Sequence, residues 1–83
     1  MRKQNHNEGK VYSLFIEIEG KKLYISSWNS YYYGFELCEN PLHALHWDDP
    51  KKRDWMLETV KNTMGMTFKP TTMFNGYEDV GDI

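Results

Sequence analysis

The sequence predicts an α+β fold: a small antiparallel sheet of three amino-terminal strands plus a carboxy-terminal edge strand, covered by one amphipathic helix with a short helical turn before it. Three observations carry that expectation. Apolar residues alternate with polar ones from Val11 to Ile18 and again from Lys22 to Trp28, with Gly20 between the two runs. Two residues of N-cap type stand directly before prolines, Asn40-Pro41 and Asp49-Pro50, and each pair is a helix start. Met56, Leu57, Val60 and Met64 then recur at helical spacing ahead of Gly65, a residue suited to end a helix at positive φ.

Taken in order, residues 1–10 are polar and show no apolar period, so they are expected to form a flexible arm ahead of a single domain over residues 11–74. In the first strand Tyr12, Leu14, Ile16 and Ile18 share one face, and Val11, Ser13, Phe15 and Glu17 the other. In the second, Leu23 and Ile25 face one way, and Tyr24, Ser26 and Trp28 the other. Two turns fit between them. With Gly20-Lys21 as the loop Ile18 meets Leu23, and with Glu19-Gly20 as the loop Ile16 meets Leu23; both keep the same faces. Asn29-Ser30 turns the chain into a third strand, Tyr31 to Cys38, where Gly34 leaves room for a close neighbour.

The first helix start has room only for a turn through Leu45, whereas the second can run from Lys51 to Met64. His46 to Asp48 is a connector with room for a short extended piece, since Trp47 needs cover. Met66 and Phe68 begin the last strand, and Pro70, which lacks an N–H, places that strand at a sheet edge or stops it. Asn75-Gly76 is a turn signal, and residues 75–83 form an acidic tail that either hangs free or adds a weak final strand.

A chain of 83 residues with 10 basic and 12 acidic side chains, net charge −2, is not a generally basic nucleic-acid coat, although local patches remain open. The six tyrosines, three tryptophans and four phenylalanines are many for this length. They compensate for the small core that such a chain can bury. Cys38 has no second cysteine to pair with, and no apolar run reaches the length of a membrane span or signal-peptide core. A cytoplasmic protein without membrane association is the expectation.

Little in the chain carries chemistry. Cys38, His43 and His46, with Asp48 and Asp49 behind, have metal-ligand chemistry but match no zinc spacing, so no metal and no other cofactor is expected. Cys38 beside a histidine also suggests a thiol nucleophile, yet so short a chain supplies no cleft to polarise it. Asp48-Asp49 is better explained as a helix cap and its neighbour than as a catalytic pair. No enzymatic activity is expected.

Two clusters suit binding instead. Lys51, Lys52 and Arg53 occupy a first helical turn, where the dipole favours acids; with unpaired helix N–H groups they would make an anion site for phosphate or a partner's carboxylates. The alternative is a solvated charged turn. Trp28, Tyr31, Tyr32 and Tyr33 form the second cluster. Consecutive strand residues alternate faces, so at least one ring is expected to be exposed, suited to a protein interface or to base stacking; the alternative is that the rings cap the barrel-like end of a small core.

Taken with Tyr33, Phe35 and Leu37, the residues Asn40, Pro41, Ala44, Leu45, Trp47, Asp49, Trp55, Met56 and Val60 form a pattern that resembles small accessory proteins of bacteriophages and prophages. In that pattern a strand ends in Leu and an acidic or Asn turn, a short segment carries Ala and then an aromatic, and an amphipathic helix leads to a last strand. The resemblance spans about residues 11–74 and implies architecture more than activity. Lys51, Lys52 and Arg53 depart from the acidic helix start usual there. What it implies is a non-enzymatic protein-binding module acting in a bacterial host, of the kind that binds and blocks a host or defence protein. The rival is a small nucleic-acid binder that holds phosphates at Lys51 to Arg53 and stacks bases on Tyr31 to Tyr33, which the net charge disfavours. An edge strand with spare aromatics also leaves a homodimer open.

Overall fold

The computed structural model describes residues 9–32, 34–75 and 77–82. Five strands, β1 (Lys10–Ile18), β2 (Lys21–Asn29), β3 (Gly34–Cys38), β4 (Lys69–Phe74) and β5 (Glu78–Gly81), make one antiparallel sheet in the order β3-β2-β1-β4-β5. A short 3-10 turn, Pro41–His43, and a helix, α1 (Pro50–Met64), lie between β3 and β4 in the chain. The α+β architecture is the one the sequence predicts.

The sheet packs on both faces. Leu14 and Ile25 meet Met56, Val60 and Phe68 under α1, while Tyr24 and Met73 meet Ala44 in a second cluster that Val11, Phe15 and Cys38 flank. Because neighbouring strand residues point to opposite sides, these clusters lie on opposite faces, here called the helix face and the far face. The expected partition of β1 therefore holds. Ile18 pairs with Lys21, which makes Glu19-Gly20 the loop, with φ of 54° and 81°. Both central residues are left-handed, the turn whose twist matches the flanking strands.

Trp28 does not stay where simple alternation puts it. Ile25 pairs with Leu37 but Ser27 pairs with Glu36, so Ser26 is an extra residue in β2. That bulge shifts the phase by one, and Trp28 turns to the helix face, paired with Phe35 and packed on the same cluster as Ile25 and Leu37.

Beyond the Phe15–Tyr24 pair the strands β1 and β2 part, and the connector enters the fork between them. Leu45 N–H donates to the Ile25 carbonyl at 2.8 Å, and Tyr12 and Trp47 exchange backbone hydrogen bonds of 2.7 and 2.8 Å. Ser13 Oγ closes the same gap by donating to the Leu45 carbonyl at 2.7 Å. Ala44 belongs to the far-face cluster and Leu45 and Trp47 to the helix-face cluster, so the chain changes sides of the sheet here. The extended piece expected around Trp47 is this bridge.

The end of the chain departs from expectation in where the last long strand begins and in where it sits in the sheet. Met66 and Phe68 lie in the connection after Gly65, and β4 runs from Lys69 through Pro70 rather than stopping there. It is an inner strand, paired with β1 and β5, and the edge belongs to β5. Pro70 is tolerated because Tyr12 directs its N–H and carbonyl toward Trp47. Alternation then turns the main chain of Leu14, and of Pro70 opposite it, out of the β1–β4 ladder. Pro70 also lies beyond the residues that β5 reaches, Thr72 to Phe74. Of the two readings of the segment after Tyr77, the structure has the strand. Residues 1–8, the bulk of the expected arm, lie outside the described residues.

Candidate functional site

The connection between β2 and β3 carries the most exposed aromatic rings. Expected as the start of a strand, Tyr31 and Tyr32 are instead in a turn, and β3 begins at Gly34; Tyr33 lies outside the described residues. Asn29 Oδ1 accepts the Tyr31 N–H at 2.8 Å, a side chain closing the turn in place of backbone. Tyr31 is 97% exposed and Tyr32 73%. Tyr32 lays its ring against Gly34, and a Cβ on Gly34 would clash with the near edge of that ring. Gly34 thus supplies the room that its place in the sequence suggested.

Below the turn the aromatics change role. Trp28, half-buried, stacks on Phe35 with centroids 6.4 Å apart, and Phe35 meets Phe68 edge-on at 6.1 Å. These rings root the hairpin in the helix-face core. From Asn29 through Phe35 the chain carries no charged side chain. A hairpin with an uncharged tip, on which Tyr31 and Tyr32 are exposed among the described residues, is suited to entering a concave surface on another molecule.

The basic cluster is not brought together as one surface. Lys51 and Lys52 are exposed at the start of α1, but Arg53 is only 6% exposed. It points inward because it stands three residues before Met56 and seven before Val60, on the helix's buried stripe. Its Nη1 donates to the carbonyls of Ser13 and Thr71, each at 3.1 Å, its Nε donates to Asp54 at 2.8 Å, and the guanidinium lies 5.7 Å from the Tyr12 ring centroid. Arg53 is a cross-brace between α1, β1 and β4. Three directions of hydrogen bonding and a ring face make the planar guanidinium a better fit there than an ammonium.

The helix start also lacks the free donors that an anion site needs. Asp49 caps it, with its carboxylate accepting the Lys51 N–H at 2.9 Å and its backbone carbonyl accepting those of Lys52 and Arg53 at 3.0 and 3.3 Å. Pro50 has no N–H, so the first helical donors are taken and a carboxylate already sits on the positive end of the dipole. What remains there for an anion is the exposed side chains of Lys51 and Lys52.

On the far face a polar network escaped the sequence reading. Asp79 in β5 accepts hydrogen bonds from Tyr24 Oη (2.6 Å), Lys22 Nζ (2.6 Å), Thr71 Oγ1 (2.6 Å) and the Gly81 N–H (2.9 Å). Burial alone would raise the Asp79 carboxyl, but those bonds outweigh it and hold it down from 3.8 to about 2. Tyr24 is driven above its ordinary 10.0, first by burial and then by its bond to Asp79 and the charges of Asp79 and Cys38. Lys22 also reaches over the Phe15 ring, 4.1 Å from its centroid. The only hint in sequence was parity: an acid two residues beyond Tyr77 in a strand-length run after Asn75-Gly76.

Cys38 is half-buried, with Sγ 3.4 Å from the Asn40 carbonyl, and burial pushes its thiol above 9.0 against a backbone hydrogen bond at Asn40. That favours the neutral thiol over the thiolate a nucleophile needs. His43 and His46 are both exposed. Among the described residues no three His, Cys, Asp or Glu side chains gather where they could hold a metal ion, and no helix is long and apolar enough to cross a membrane.

Comparison of the chain with protein-family models, curated proteins and solved structures finds no match.

Proposed function

We propose that this domain is a non-enzymatic protein-binding module that engages its partner with the tip of the β2–β3 hairpin. The observation that carries the reading is the exposure of Tyr31 and Tyr32 on a turn that Asn29 and Gly34 hold in shape. Preorganised aromatic side chains give large contact area at small conformational cost, which is why they dominate interface energetics. The resemblance to phage accessory proteins names the class of partner, a protein of the bacterial host or of its defences, and binding would block it. Lys51 and Lys52 supply a second, peripheral contact for acidic side chains.

The test compares Tyr31→Ala/Tyr32→Ala with Lys51→Glu/Lys52→Glu. Capture of a defined protein from host lysate, lost in the tyrosine variant at unchanged melting temperature, supports the reading. Salt-sensitive retention on single-stranded DNA, lost in the lysine variant, replaces it with nucleic-acid binding.

A further inference from the structure

We infer that the outer edge of β3 accepts an extended segment of another protein that carries a lysine or arginine opposite Glu36. This rests on the reading of the β2–β3 hairpin as the binding element and specifies the kind of chain that lies beside it. Among the described residues β3 ends the strand order, and no further strand lies on its outer side. Which of its groups face outward follows from its inner neighbour. Ile25 gives its carbonyl to Leu45, away from β3, so in the Ile25–Leu37 pair the Leu37 N–H and carbonyl also turn away, toward the free side. Ser26 Oγ donates to the Glu36 carbonyl, which fixes Glu36 inward, and Phe35 alternates outward again. The edge therefore offers the main chain of Phe35 and Leu37, with their side chains on the helix face, while the exposed Glu36 side chain stands between them, one carboxylate oxygen accepting from Ser27 Oγ at 3.2 Å and the other left for a cation.

Charge decides which chain fits. In a pairing of two copies that uses all these outward groups, Phe35 would lie opposite Leu37 and Glu36 opposite Glu36, at the close, non-hydrogen-bonded spacing. Like charges placed so repel, and Glu36 thereby guards the edge against its own copy. A cation at the same place attracts, and the added strand gains main-chain hydrogen bonds from the edge. The neighbouring tip places Tyr31 and Tyr32 at the end of the same edge, where they would close over the added chain.

The probe is this protein itself carrying Glu36→Lys, mixed in equal amounts with the unaltered chain and examined by sedimentation and by NMR line widths. The expected result is association in the mixture roughly tenfold stronger than in either protein alone, weakening with salt, since repulsion at one position becomes attraction. Leu37→Pro, which removes an outward donor where a strand edge tolerates proline, should abolish the association without unfolding the domain. A mixture that associates no more than its separate components overturns the inference. Because the tyrosine-dependent capture described above uses the unaltered Glu36, it can succeed while this fails, and the two readings fall separately.

Discussion

The phenol of Tyr24 on β2 donates to the carboxylate of Asp79 on β5 at 2.6 Å, reaching over β1 and β4, which lie between them in the sheet. For that to happen the far face must curl inward. The bond ties residues 55 apart and makes the last strand a closing element of the fold.

Replacing Asp79 by Asn should lower stability at neutral pH by about 1–3 kcal/mol, because Lys22, Tyr24 and Thr71 lose a charged acceptor. The native carboxyl lies at about 2, below its ordinary 3.8, so its contribution is complete above the unfolded value and is lost as pH falls through the folded one. Resistance of the unaltered domain to chemical denaturant should fall between roughly pH 4 and 2, and the Asn variant should show less of that decline.

Tyr24 titrates in the opposite sense. Its folded pKa is raised above 10.0, so the stability it supplies is complete below that pH and is lost as pH rises beyond it. Tyr24→Phe should remove this part of alkaline unfolding and cost about 1–2 kcal/mol at neutral pH, through the hydrogen bond that Asp79 no longer accepts. Ultraviolet titration of phenolate against circular dichroism would detect it.

The three residues of the basic run should separate under mutation. Lys51→Glu/Lys52→Glu should leave folding intact or gain a few tenths of a kcal/mol, since acids suit the first helical turn and Asp48, Asp49 and Asp54 offset part of the gain. Arg53→Ala should cost about 2–4 kcal/mol by uncoupling buried carbonyls of Ser13 and Thr71 from their donor. Equal melting temperatures for the two variants would refute the cross-brace.

Gly34→Ala tests the hairpin tip. The added methyl displaces the Tyr32 ring, an exposed side chain free to swing away, so stability should change by less than about 1 kcal/mol. Partner capture should nonetheless weaken, because Tyr32 loses its seat. Retained affinity together with a shifted ring, seen by NMR, would show that Tyr32 makes no contact.

The elements legible in the sequence are those whose signal is local. Asp49-Pro50 and Gly65 bound α1 as expected, with Gly65 at φ 70°, and alternation gave the faces of β1. Trp28 was misplaced because a bulge at Ser26 has no residue signature; it arises where β2 must bend away from β1 to admit Leu45. Arg53 was read by charge when its spacing from Met56 and Val60 had already placed it on the buried stripe. Asp79 could not be assigned a partner from sequence, since its pairing with Tyr24 depends on sheet curl, a property of five strands together.

The bridge of Ala44 to Trp47 between β1 and β2 bears on the order of assembly. In the folded chain the hairpin is zipped from Glu19-Gly20 only as far as Tyr24 and Phe15, and the connector fills the remaining wedge, which stays open at its far end to a sideways entry. A covalent staple across that open end, installed before folding, would turn a sideways entry into the threading of a ring. Installed afterwards, it would lock the connector in place and slow unfolding.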